Sequence, residues 1–126
     1  MNIILWIVQA VLAMAFLAAG TVKLVRTRTQ LVGSSAGMAW AGDRSEEAIK
    51  AIGALEVLAA LGLILPPWLG IATVLTPLAA TGLLLLMIGA VTVHLRRGEK
   101  SAIGVPLVLG TLALAVAVLR FGPYAT

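Results

Sequence analysis

Cysteine is absent from the 126 residues, and histidine occurs once, at position 94. The chain therefore cannot form a disulfide, exchange thiols with a substrate or build a thiolate metal site. A single histidine without cysteine also argues against a metal centre or haem. Nucleophile–base pairs, phosphate loops and dinucleotide fingerprints are missing too. We therefore expect no metal, no catalytic residues and no cofactor held by the chain's own ligands, and no enzyme activity by this chain alone.

Charged residues are scarce as well: they make up 11% of the chain, whereas 61% of the residues are hydrophobic. Soluble domains contain about a quarter charged residues, so this composition indicates a membrane protein whose main partner is the lipid bilayer. The net charge of +4 could suggest nucleic acid. The basic residues, however, lie beside the ends of apolar runs, which is typical of membrane topology. We therefore expect no nucleic-acid partner.

Four apolar segments are each close to the roughly 20 residues that a helix needs to cross a bilayer. They cover about 3–25, 48–65, 68–95 and 102–121. The first ends in small residues, as a signal peptide does, but it lacks a positive start and is long enough to span, so we expect it to stay uncleaved. The pattern predicts a single all-α domain, an antiparallel four-helix membrane bundle.

The connections between the segments carry the helix-breaking residues. Pro66-Pro67-Trp68 predicts a tight turn between the second and third segments. Asp43 is the expected N-cap of the second helix, and Pro77 is expected to kink the third. The long connection after the first segment is interrupted by glycine and serine, so we predict a surface loop with a short interfacial helix there.

The distribution of positive charge predicts the orientation in the membrane. The basic residues gather at the two charged connections, and only Arg120 lies at the opposite end. By the positive-inside rule, the charged loops are expected in the cytoplasm and both termini outside, with four spans in the cell membrane. The residues that define the cytoplasmic side are Arg26, Arg28, Arg44, Lys50, Arg96, Arg97 and Lys100.

Glu56 lies about two turns inside the second segment, where an isolated carboxylate would be costly in hydrocarbon. It should therefore face protein, an opposite charge or water. At a rise of about 1.5 Å per residue, Lys23 on the antiparallel first helix reaches a compatible depth. His94, near the end of the third segment, is expected at the shallow rim of the same cavity. A structural ion pair and a role in ligand or proton handling are both consistent with Lys23 and Glu56.

Small residues accompany these polar groups at helical spacing. Such stripes allow close helix approach, either inside the bundle or in a homodimer. Gln9, near the other end of the first helix, is expected to hydrogen-bond across helices. The candidate ligand or partner pocket contains Gly20, Lys23, Gly53, Glu56, Met87, Ala90 and His94.

Three stretches, FLAAGTVKL, IGALEVLAALGLILPPW and LMIGAVTVHLRRGE, resemble the DoxX-like family of small four-helix membrane proteins. The resemblance covers the first three helices. It implies a four-helix bundle with its family residues at Gly20, Lys23, Gly53, Glu56, Gly62, Pro66, Ala90 and His94. Similar proteins include quinone-linked thiosulfate-oxidising subunits and a chaperone of the neuronal acetylcholine receptor, so the resemblance implies a scaffold more than a reaction.

We therefore expect a non-catalytic membrane protein that binds a lipid-like small molecule or a partner membrane protein, as an accessory or assembly subunit. One alternative is a quinone-reactive subunit of an oxidoreductase complex, with Glu56 or His94 relaying a proton and the redox centre on another chain. For each of these functions we expect no cofactor in the chain itself, and a bound quinone or lipid is the candidate ligand. The second alternative is a small oligomeric proton-coupled transporter.

Overall fold

The computed structural model describes residues 2–34 and 36–125, and this part of the chain is helical without a strand. The predicted all-α membrane bundle is therefore confirmed. The four long helices are each long and apolar enough to cross a membrane. The helices are α1 (Asn2–Val25), α2 (Arg28–Ser34), α3 (Glu46–Leu69), α4 (Leu75–Arg96) and α5 (Gly104–Phe121), with 3₁₀ helices at Ala36–Asp43 and Lys100–Ala102.

The long helices pack as antiparallel neighbours, with α1 along α3, α3 beside α4, and α4 along α5. The core between them is apolar and includes Leu12, Phe16, Leu63, Leu83 and Val116. We call one end of the bundle the charged end; it is formed by residues 23–28, 44–50 and 96–102. We call the opposite end the proline end; it is formed by residues 2–9, 62–76 and 117–125.

The predicted turn at Pro66-Pro67-Trp68 is wrong, because α3 continues through both prolines to Leu69. Proline has no N–H, so each proline leaves the carbonyl four residues earlier without its helical donor. Thr76 Oγ1 donates to the carbonyl of Gly62 at 3.0 Å. Gln9 Nε2 donates to the carbonyl of Leu63 at 2.7 Å. Side chains of neighbouring helices thus replace both missing hydrogen bonds, and the helix need not end.

The actual end of α3 is Gly70, which has a left-handed backbone with φ of 70° and donates its N–H to the Pro66 carbonyl. The third membrane helix therefore begins at Leu75 instead of near Trp68. Pro77 is the third residue of that helix. In the first turn an N–H has no intrahelical acceptor, so Pro77 is accommodated in the first turn of α4 and the expected kink at this residue is wrong.

A buried polar network joins three helices at the proline end. Arg120 is 2% exposed, and its Nε donates to Gln9 Oε1 at 2.8 Å. Its Nη1 donates to Asn2 Oδ1 at 2.6 Å and to the Tyr124 carbonyl at 2.9 Å. Because Gln9 also donates to Leu63, one glutamine links α1, α3 and α5, as its predicted cross-helix role requires.

At the charged end, Lys50 closes the C-terminus of α1. Its Nζ donates to the carbonyls of Lys23, Leu24 and Arg26 at 2.9, 2.8 and 2.7 Å. The last carbonyls of a helix have no intrahelical donor, so a lysine there satisfies them and interacts favourably with the helix dipole. The start of α3 is thereby fixed to the end of α1.

The connection between α1 and α3 folds over the charged end. Leu31 of α2, Ala41 of the 3₁₀ helix and Ile49 of α3 form a small buried core there. Ser45, and not Asp43, caps α3, since its side chain accepts from the Ala48 N–H at 3.1 Å. A serine immediately before two glutamates meets the same capping requirement two residues later than predicted.

Candidate ligand cavity

Lys23 and Glu56 form a buried ion pair between α1 and α3. Nζ of Lys23 lies 2.7 Å from Oε1 of Glu56. Lys23 is 8% exposed and Glu56 3%. Removing one member of a buried pair leaves an uncompensated charge and costs about 3–5 kcal/mol. The pair therefore fixes the relative position of the two helices, and Lys23 meets Glu56 as the compatible positions on the two helices allow.

Two glycines make the approach of α1 and α3 possible. A Cβ atom built on Gly20 would lie 2.6 Å from the Gly53 carbonyl oxygen, and one on Gly53 would lie 2.9 Å from the Gly20 carbonyl oxygen. Real Cβ contacts are not that short. Each glycine is three residues from a member of the ion pair on the same helix face, so the close contact brings Lys23 and Glu56 together.

A cavity of about 780 Å³ opens beside the pair, between the helices at the charged end. This volume lies within the roughly 300–1,000 Å³ of small-molecule sites. Its polar side chains are few, namely Lys23, Arg44, Glu56, His94 and Ser101. The rest of the lining is mostly apolar and includes Phe16, Ile52, Leu86, Met87, Ala90, Val93, Val105 and Leu109. The cavity is thus amphipathic, which suits a molecule with one polar and one apolar part.

His94 lines this cavity but does not pair with Glu56. It is 7% exposed, and its Nδ1 lies 2.9 Å from Glu99 Oε1. Gly98, with a φ of 72°, turns the chain between them and returns Glu99 to the helix end. The contact with His94, followed by that with Arg97, lowers the pKa of Glu99. An ionised carboxylate at this position holds Nδ1 of the histidine, so Nε2 is the ring nitrogen that Glu99 does not engage.

Arg97 connects this histidine to the 3₁₀ helix Ala36–Asp43. Its Nε donates to Glu99 Oε1 at 3.2 Å, and its Nη1 pairs with Asp43 Oδ2. The 3₁₀ helix supplies Met38 and Trp40 to the cavity lining. The Asp43–Arg97 pair therefore fastens the segment that borders the cavity to the end of α4.

The predicted site residues separate into two groups in the structure. Met87, Ala90 and His94 lie on the cavity wall with the ion pair. The predicted glycines do not line the cavity, since Gly20 and Gly53 are buried at the contact between α1 and α3. Their contribution is to position the ion pair.

Sequence reasoning missed Glu99, Trp40, Arg44 and Ser101. Glu99 follows His94 across a glycine turn, and this spacing was a usable signal. The other three come from connections whose path over the bundle depends on tertiary packing. For Arg120 a signal was also present in the sequence, because one arginine in an apolar helix implies buried partners.

Comparison with known proteins gives one match. The model of the DoxX-like family matches residues 7–116, which include the ion pair, the cavity and most of α5. No curated protein and no solved structure matches the chain. With four apolar helices and a match over most of its length, the chain is an integral membrane protein that belongs to the DoxX-like family.

Proposed function

We propose that this protein binds a lipid-like small molecule in the cavity beside Lys23 and Glu56, as an accessory or assembly subunit without chemistry of its own. The observation that carries the proposal is the amphipathic lining of a cavity of about 780 Å³. Ligand sites are usually apolar with a few convergent polar groups. Here the polar groups gather near the charged end and leave the apolar wall for a tail.

The ion pair supplies the polar anchor of the proposed site. Lys23 neutralises Glu56 within the same chain, and both side chains also line the cavity. A carboxylate held this way can accept one more hydrogen bond from a ligand hydroxyl or amide. Internal neutralisation also argues against a proton-coupled transporter, which needs a carboxylate that is free to exchange its proton.

Native mass spectrometry of the protein, extracted gently from its own membrane, tests the proposal. Wild type is compared with Glu56→Gln, and Glu47→Gln is the matched control because Glu47 is an exposed acid in the first turn of α3. We expect a small molecule to accompany wild type and the control but not Glu56→Gln. A stoichiometric protein without any small molecule would instead support the alternative occupant, a partner membrane protein. Equal occupancy in all three proteins would refute the role of Glu56.

A quinone is the second candidate ligand, favoured by two titratable side chains on the same cavity wall. Glu56 and His94 both line the cavity, and quinone reduction takes up protons from groups within hydrogen-bond reach. The redox centre would have to come from a partner chain. Quinone-dependent electron transfer in a complex with such a partner, reduced in His94→Gln, would support this function. A bound lipid and no redox partner would contradict it.

A further inference from the structure

We infer that the amphiphile bound in this cavity has an anionic head group and that Arg44 recognises it. The inference rests on the proposed function and adds the chemical class of the ligand. It starts from the charges that line the cavity. The ionisable side chains on its wall are Lys23, Arg44, Glu56 and His94.

Most of these charges already have partners inside the protein. Lys23 and Glu56 neutralise each other at 2.7 Å, and Glu99 holds Nδ1 of His94 at 2.9 Å. Arg44 differs, since its side chain has no ion pair with any carboxylate in the described part of the chain. One uncompensated positive charge therefore borders an otherwise balanced and mainly apolar cavity.

The backbone at Arg44 is held in place while its side chain stays available. Arg28 Nη1 donates to the Arg44 carbonyl at 3.1 Å, and the Arg44 N–H donates to the Ala41 carbonyl at 3.2 Å. On the other side, the preceding residue, Asp43, pairs with Arg97. A guanidinium on an anchored backbone loses less freedom when it binds an anion, and its planar geometry suits carboxylate or phosphate oxygens.

Two further groups are placed to bind the head group together with Arg44. Ser101, on the 3₁₀ helix before α5, offers a hydroxyl donor, and His94 has one ring nitrogen that is not held by Glu99. Below them the wall continues with Phe16, Leu86 and Leu109. Charge and shape together favour a phosphate or carboxylate at the charged end with its hydrocarbon chain in the bundle.

Trp40 provides a direct assay because its side chain lines the same cavity. Replacing Trp6 and Trp68, which belong to the proline end, leaves Trp40 as the single tryptophan. The full-length protein is placed in nanodiscs of brominated phosphatidylcholine, which quenches tryptophan on contact. Unbrominated phosphatidate is then added, and recovery of fluorescence reports its entry into the cavity. Unbrominated phosphatidylcholine, added in the same amounts, gives the reference.

We expect phosphatidate to be preferred by about tenfold, which corresponds to about 1.4 kcal/mol. The preference should vanish in Arg44→Gln and be partly kept in Arg44→Lys. The matched control is Arg26→Gln, which removes an exposed charge at the same end that does not line the cavity. Because Arg44 is exposed and, among the described residues, its contacts are made by its backbone, the variants should fold, which circular dichroism verifies.

Other results would overturn the inference in distinguishable ways. Equal affinity for both lipids, unchanged by Arg44→Gln, would refute the anionic head group and leave the proposed lipid site intact. An equal loss in Arg26→Gln would show that only the general surface charge attracts phosphatidate. Displacement of phosphatidate by inorganic phosphate at equal concentration would assign the site to a free anion. If no added lipid relieved the quenching of Trp40, both the proposed lipid site and the inference of an anionic head group would be refuted.

Discussion

Replacing Gly20 by alanine should destabilise the bundle, because the new methyl group would collide with backbone atoms of α3. Its Cβ would lie 2.6 Å from the Gly53 carbonyl oxygen, 0.8 Å short of the 3.4 Å at which ordinary contacts begin. The second neighbour, Val57 Cγ2, is at 2.8 Å. A backbone oxygen cannot rotate away, so the two helices must separate at the point that aligns Lys23 with Glu56.

The expected magnitude is the difference between two opposing effects. Overpacking a close contact costs about 1–3 kcal/mol, whereas alanine in a helix is favoured over glycine by about 0.5–1 kcal/mol. Gly20→Ala should therefore lose about 1–2 kcal/mol of unfolding free energy. Gly82→Ala is the matched control, because a Cβ at Gly82 of α4 meets nothing within 4 Å. The control should be neutral or slightly stabilising.

Reversible unfolding by sodium dodecyl sulfate in mixed micelles, followed by circular dichroism, measures both variants. Gly53→Ala should behave like Gly20→Ala, since its Cβ would lie 2.9 Å from the Gly20 carbonyl oxygen and from Lys23 Cβ. If Gly20→Ala were as stable as Gly82→Ala, the close approach of α1 and α3 would not exist, and the position assigned to the ion pair would be wrong.

Three further predictions concern the remaining polar contacts. Thr76→Val should lower the free energy of unfolding by about 1–3 kcal/mol, because it leaves the Gly62 carbonyl unpaired. The loss should be much smaller in a Pro66→Ala background, which restores the helical donor to that carbonyl. Equal losses in both backgrounds would refute this explanation. Gln9→Leu should lower the free energy of unfolding at least as much as Thr76→Val in the same assay, because it leaves two buried groups without partners. An unchanged free energy would show that Gln9 does not link the three helices. The lowered pKa of Glu99 means that its pairing stabilises the folded state fully above its ordinary value of 4.5 and is lost as the pH falls through the lowered value. The protection factors of the amides in the 3₁₀ helix Ala36–Asp43, which are exchange rates corrected for the intrinsic pH dependence of amide exchange, should fall in that acid range for wild type and should be low already at neutral pH for Glu99→Gln. Wild-type protection factors that stay constant through the acid range would refute this prediction.

The four membrane helices could be predicted from the sequence because a span depends on local composition and length. Each apolar run is near 20 residues, and its ability to cross a bilayer can be judged without knowing its contacts with other parts of the chain. The possible contact of Lys23 with Glu56 was also predictable, since the rise per residue of a helix is constant and places the two residues at compatible depths on antiparallel helices. The flexible stem of the lysine can reach inward to the acid.

The exact ends of the helices and the composition of the cavity were decided by tertiary structure. Proline predicts a helix end from local chemistry, yet Pro66 and Pro67 are accommodated because Thr76 and Gln9 supply donors from other helices. Those donors lie 14 and 54 residues away from the carbonyls they satisfy. Rules that consider only neighbouring residues in the sequence cannot predict such contacts.

The same reason explains the cavity. Its apolar wall follows from the helix pattern, but Trp40 and Arg44 reach it only because the connection after α1 folds over the charged end and is fastened there by the Asp43–Arg97 pair. The sequence by itself determined a four-helix membrane scaffold and identified Lys23 and Glu56 as candidate partners. Only tertiary packing decided that Lys23 and Glu56 pair and that Arg44 and Ser101 share their cavity, because these residues are far apart along the chain.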